Sequence, residues 1–175
     1  MGSLQDAVEQ RLEVETEERF CEILKRKMAG AIGLYVEAVR AAEEEYGPEA
    51  REAIRRRHLE RSVEANRKRG AEVLDNSLRA FCYALEAGCR GSHEWEKLED
   101  TERRQAYRFT RCLWAEIFRE LEAADIGIWI CEGDGPAAAA FNPAIGFART
   151  KTLMEGDDCC DHVYHVDGGE PAQGA

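Results

Sequence analysis

No stretch of this 175-residue chain approaches the roughly 18 consecutive apolar residues that a spanning helix needs, which excludes a helical membrane protein. An excess of positive charge is lacking too: 24 Lys and Arg face 35 Asp and Glu, a formal net charge of −11. Nucleic acid and anionic membrane surfaces would be repelled by such a chain and are excluded as its main partners. The first 19 residues are rich in Glu and carry no apolar run, unlike a secretory leader, so the expected location is cytoplasmic. There is no Cys-x-x-Cys pair, no internal repeat and no linker long enough to separate two domains.

What is there suits one soluble globular domain. Apolar residues make up 44% and charged residues 34% of the chain, and its length suffices to bury a core without staples. The seven cysteines are Cys21, Cys82, Cys89, Cys112, Cys131, Cys159 and Cys160. An odd number in a cytosolic chain reads as reduced thiols, and the vicinal Cys159-Cys160 pair would close only a strained ring.

Periodicity divides the chain into two halves. Ile23, Leu24, Met28, Ala31, Ile32, Tyr35 and Val39 follow the spacing of a buried helix face, with Gly30 and Gly33 as places for close packing. The helix stops at Gly47, and Pro48 suits the first turn of a second helix. That second helix carries Arg55, Arg56, Arg57, Arg61, Arg67, Lys68 and Arg69 among Glu52, Glu60 and Glu64, which reads as a solvated, ion-paired face; Gly70 bends or ends it. A third helix runs through Leu74, Leu78, Phe81, Cys82 and Leu85 to Gly88. Beyond Gly91, Trp95–Leu98 and Tyr107–Phe109 flank a polar turn and predict a hairpin. Leu113, Trp114, Ile117, Phe118 and Leu121 return to helical spacing. Ile126–Cys131 reads as a strand ending in the turn Gly133–Pro136, and 147–154 and 159–166 as two further strands. The expectation is a single α+β domain over 1–166, N-terminal helices (1–90) packed on a C-terminal, mostly antiparallel sheet (91–166), with a disordered tail over 167–175.

Reactive side chains crowd into 111–162. Cys112 falls where a strand passes into a helix, whose N-terminal field favours thiolate. Cys131 closes a predicted strand just before Asp134. Strand alternation sets Cys160, His162 and Tyr164 on one face and Cys159, Asp161, Val163 and His165 on the other. A cysteine with a histidine on the same face can form a thiolate–imidazolium pair. Phe147, Arg149 and Lys151 share a face of the preceding strand and offer a cation to an anionic substrate. Each feature also has a plain structural reading, since buried cysteines are mostly small core residues and Asp157-Asp158 are ordinary turn residues.

The order of these residues is more specific than any one of them. Thr110-Arg111-Cys112, Ala115-Glu116, Cys131 with Asp134, Phe141-Asn142-Pro143, Phe147 to Met154 and Gly156-Asp157-Asp158-Cys159-Cys160-Asp161 together resemble the L-2-amino-thiazoline-4-carboxylic acid hydrolase family. That resemblance is dense over about 105–166 and implies ring opening of a cyclic isothiourea to an N-carbamoyl cysteine, or hydrolysis of a related C–N bond. It implies Cys160 as nucleophile, with Asp161 or Asp157 handling protons. Arg149 would hold a substrate carboxylate, and Cys112, Cys131 and Asp134 would line the pocket. His162 stands where the family commonly has an aromatic residue, and its imidazole would assist as base. The substrate is a small molecule, no cofactor is required, and a homo-oligomer is compatible with the chain. Two alternatives remain at this level: a metal site built from Cys112, Cys131 and Cys160 with His162 or an Asp, and a non-enzymatic module for a small ligand.

Overall fold

A computed structural model describes residues 4–166, so the tail expected over 167–175 lies outside the described residues. Three helices come first: α1 (Leu4–Tyr46), α2 (Pro48–Glu72) and α3 (Leu78–Cys89). A hairpin follows, β1 (His93–Asp100) and β2 (Arg104–Cys112), then three short helices, α4 (Leu113–Glu120), α5 (Ala124–Glu132) and α6 (Asp134–Phe141). The last two described elements are β3 (Ile145–Ala148) and β4 (Cys160–Val166). All three strand pairings are antiparallel, in the order β1-β2-β4-β3, which makes this the expected α+β fold. Among the described residues no helix is long and apolar enough to cross a membrane.

Local chemistry explains the element ends. Gly47 takes a φ of 83°, a left-handed conformation that suits glycine, and Pro48 then opens α2 where its missing N–H is harmless. The hydroxyl of Ser77 caps α3 by accepting from the Ala80 amide at 3.2 Å. Thr101 closes the hairpin, its amide and hydroxyl both donating to the Arg104 carbonyl.

The helices do not all lie on the sheet. α3 and α6 pack there, around Leu78, Phe81, Phe141, Tyr107 and Tyr164. The long α1 instead joins α4 and α5 in a second core built from Ile32, Val36, Val39, Ile117, Phe118 and Trp129. Leu153 touches both cores, so the 149–159 segment sits at their seam. On α1 the predicted stripe holds at Leu24, Met28, Ile32, Tyr35 and Val39, whereas Ile23 and Ala31 are exposed. Gly30 and Gly33 have nothing close enough to require them, so the expected close packing is absent there. The basic face of α2 is ion-paired as expected, with Arg55 on Glu52, Arg57 on Glu60 and Arg67 on Glu64. Such exposed pairs contribute little individually.

Gly70 neither bends nor ends α2, which runs on to Glu72. It is the point where α2 meets α6: a Cβ there would stand 2.0 Å from the Phe141 carbonyl oxygen, a backbone atom that cannot swing aside. Gly70→Ala is therefore expected to destabilise the fold by about 2–3 kcal/mol and lower Tm by about 4–10 °C. A thermal scan showing no change would mean that α2 and α6 are not held at this distance.

Two predicted strands are something else. Ile126–Cys131 is helical, because Ala123, Ile126, Trp129 and Ile130 share one face with helix spacing and pack into the second core. A short apolar run rich in β-branched residues does not distinguish strand from buried helix, and here packing outweighs propensity. The turn expected at Gly133–Pro136 is the start of α6. β3 stops at Ala148 instead of running to Met154, since the amides beyond it bond to side chains and not to a neighbouring strand.

Candidate active site

One end of the sheet gathers the reactive groups. The last residue of β2 is Cys112 and the first of β4 is Cys160, with Phe109 paired directly to Cys160. β4 alternates as expected: Cys160, His162 and Tyr164 are buried while Asp161 and Val163 are half-buried on the opposite face. No register shift interrupts this pairing, so Asp161 points away from Cys160.

Asp134 is the centre of the cluster. It begins α6, and its Oδ2 accepts a 2.8 Å hydrogen bond from Nη1 of Arg149. The same Nη1 donates to the Cys131 carbonyl at 3.2 Å, so one guanidinium joins α5 and α6 to the chain after β3. Nε2 of His162 lies 3.8 Å from the same carboxylate oxygen. Burial pushes the Asp134 carboxyl up to about 7, against the opposite pull of Arg149. Burial lowers His162 to about 3, helped by the charges of Arg149 and His93. Its ring lies against Phe109 at 4.9 Å and Phe147 at 5.2 Å, surroundings that disfavour a cation. At neutral pH the imidazole is therefore neutral, and the carboxyl is poised between its two forms.

Three of the thiols approach one another here. The Cys160 S–H faces Oγ1 of Thr152 at 3.8 Å, and the Thr152 hydroxyl faces the Cys131 sulfur at 3.8 Å. The Leu153 amide donates to the Cys160 sulfur at 3.2 Å. Burial raises the Cys160 thiol, while that amide, Thr152 and Arg149 pull it back. Cys131 is pushed up to about 11 by burial and by Asp134. Cys112 occupies the expected strand-to-helix junction, and the amides of Trp114 and Ala115 favour its thiolate without forming a cap hydrogen bond. Burial nevertheless pushes it up to about 12, outweighing the helix N-terminus. The structure thus brings Cys112, Cys131, Asp134, Arg149, Cys160 and His162 into one neighbourhood. Among the described residues no three Cys, His, Asp or Glu side chains are arranged to hold a metal ion.

The other expected site residues are engaged nearby. The Asp157 carboxylate accepts from the Thr152 amide at 2.7 Å, and Asp161 accepts from the amides of Thr150 and Lys151 at 2.8 and 2.6 Å. Lys151, expected to share a face with Arg149, pairs with Asp158 at 2.8 Å while Arg149 turns to Asp134. Thr152, the Leu153 amide and His93 were not anticipated. His93 lies on the edge strand, bonded through Nδ1 to the Ser92 hydroxyl at 2.8 Å, and no local spacing in the sequence connects it to His162.

The fold and this cluster define an α+β protein whose thiols, carboxyl and guanidinium converge at the seam of two cores. Residues 25–164 match the L-2-amino-thiazoline-4-carboxylic acid hydrolase family, and the chain belongs to it. The match bears out the resemblance and extends it over most of the helical half. A comparison with curated proteins finds no significant match. The family's name implies a hydrolase acting on a small thiazoline carboxylate.

Proposed function

We propose that this protein opens the ring of a 2-aminothiazoline-4-carboxylate, or a closely similar cyclic isothiourea, by hydrolysis through Cys160. The observation that carries this reading is the Cys160 sulfur seated 3.2 Å from the Leu153 amide, within electrostatic reach of the Asp134 carboxyl, whose pKa is raised to about 7. A carboxyl near neutrality can both take and give a proton during turnover.

Asp134 accepts the proton of Cys160, and the thiolate adds to the carbon between the ring nitrogen and sulfur. The ring carbon–sulfur bond then breaks, and Asp134 returns the proton to the departing sulfur. Water adds to the same carbon of the enzyme-bound isothiourea, and the Cys160 thiol leaves, giving an N-carbamoyl cysteine. Both nitrogens stay on that carbon, so this product requires carbon–sulfur cleavage and not the carbon–nitrogen cleavage anticipated from the sequence. Both hydrogen bonds of Arg149 use Nη1, which leaves Nε and Nη2 to hold the substrate carboxylate. His162, neutral at working pH, closes the site against water with Phe109 and Phe147.

The test is acid quenching during turnover of 2-aminothiazoline-4-carboxylate, followed by peptide mass mapping. A substrate-derived mass on the Cys160 peptide is expected. Turnover with no adduct on any cysteine, under conditions where the second step is slowed, overturns covalent catalysis.

A further inference from the structure

Five consecutive amides, those of residues 150–154, point at side-chain acceptors. Thr150 and Lys151 donate to Oδ1 of Asp161, Thr152 to Oδ2 of Asp157, Leu153 to the Cys160 sulfur and Met154 to Oγ1 of Thr152. The Thr150 hydroxyl takes the other oxygen of Asp161. The segment then folds back, with the amides of Glu155 and Asp157 both on the Thr152 carbonyl. Asp161 and Cys160 are neighbours on β4 whose side chains leave opposite faces. A carboxylate on one face therefore orders a row of amides whose fourth member reaches the thiol on the other.

We infer that Asp161 and Asp157 are positioning residues: by holding the three amides before Leu153, they aim the Leu153 N–H at the sulfur of Cys160. This rests on the reading of Cys160 as nucleophile. A fixed N–H beside sulfur favours the thiolate over the thiol, and a segment released from its two carboxylates has no reason to keep it there. The other groups that face Cys160 come from every neighbouring element. Cys112 lies at the β2–α4 junction, Cys131 at the end of α5, Asp134 at the start of α6, and Arg149 and Thr152 on the segment itself. His162 follows on β4 and Phe109 pairs across from β2. Of these, the Leu153 amide and Thr152 are the ones placed by the two carboxylates.

The sign of the effect separates positioning from plain electrostatics. Deleting a negative charge near a thiol lowers its pKa, whereas losing the amide raises it. The experiment follows iodoacetamide labelling of Cys160 against pH in the full chain, read by peptide mass mapping, with thermal midpoints recorded alongside. Asp161→Ala is expected to raise the apparent pKa of Cys160 by about one unit, slowing its labelling at pH 7.5 about tenfold. Asp161→Asn keeps an acceptor without the charge and is expected to restore labelling to the wild-type rate or above. An unmoved or lowered Cys160 pKa in folded Asp161→Ala overturns the inference. Should that variant not fold, Asp157→Ala carries the same test, with the same rise expected and an unmoved titration overturning it. If the titration shifts as expected but no turnover adduct forms on Cys160, the nucleophile reading falls and the positioning stands. An adduct on Cys160 with an unmoved titration gives the reverse.

Discussion

Cys160→Ser is expected to cut turnover of 2-aminothiazoline-4-carboxylate at least about 10³-fold, with the thermal midpoint little changed. A serine keeps an acceptor for the Leu153 amide and fills nearly the same volume, so the 149–159 segment should hold its shape. What is lost is the nucleophile, because a hydroxyl is a far weaker acid than a thiol, and a base matched to the thiol leaves the alcohol protonated. His162, lowered to about 3, is a weak base, and Asp134, at about 7, takes a proton from a thiol far more readily than from a hydroxyl. Cys131→Ser and Cys112→Ser should each cost about tenfold or less, since their thiols are pushed up to about 11 and about 12 and stay protonated. Cys159→Ser should cost little, its sulfur facing Asp158. Steady-state kinetics on the four variants decides the point: a retained rate in Cys160→Ser, with collapse in any of the other three, reassigns the nucleophile.

Much of the scaffold around Cys160 was legible in the sequence because it is periodic. The alternation of Cys160, His162 and Tyr164 appears in the burial of β4, and Gly47-Pro48 marks the break between the two long helices. The hairpin and the strand-to-helix junction at Cys112 were readable for the same reason. What escaped was chemistry without a period. Asp134 looked like a turn residue after a strand, but α5 is a helix that buries Ile126 and Trp129, so Asp134 opens the next helix and faces Arg149. The run from Phe147 to Met154 has the composition of a strand. Its amides find Asp161 and Asp157 instead, and that substitution of side chain for strand partner turns Arg149 and Lys151 in different directions. Family membership, by contrast, was carried by the order of the site residues and needed no correct account of the elements between them.

The main expected effect on the pH dependence of stability comes from the opposed titrations of Asp134 and His162. The Asp134 carboxyl is raised from its ordinary range near 4 to about 7, so the folded state binds its proton more tightly than the unfolded chain does. Its contribution is fully present below about pH 4 and is lost as pH rises through about 7. His162 is lowered from roughly 6.5 to about 3, so the unfolded chain binds that proton more tightly. Its contribution is present above about pH 6.5 and is lost as pH falls toward 3. Between about pH 4 and 6.5 the two slopes oppose each other, and wild-type stability should be nearly flat with respect to this pair. Removing one member exposes the other. Asp134→Asn should lose stability on acidification from pH 6.5 to 4, and His162→Phe should gain it over the same interval. Each tilt is expected to be on the order of 1 kcal/mol per pH unit or less, since a single proton sets the ceiling and 26% of the Asp134 side chain remains accessible. Urea midpoints measured across this range test the pair. Parallel pH profiles for the wild type and both variants would mean that neither group is shifted by the fold, and would remove the reason for assigning Asp134 the proton transfers.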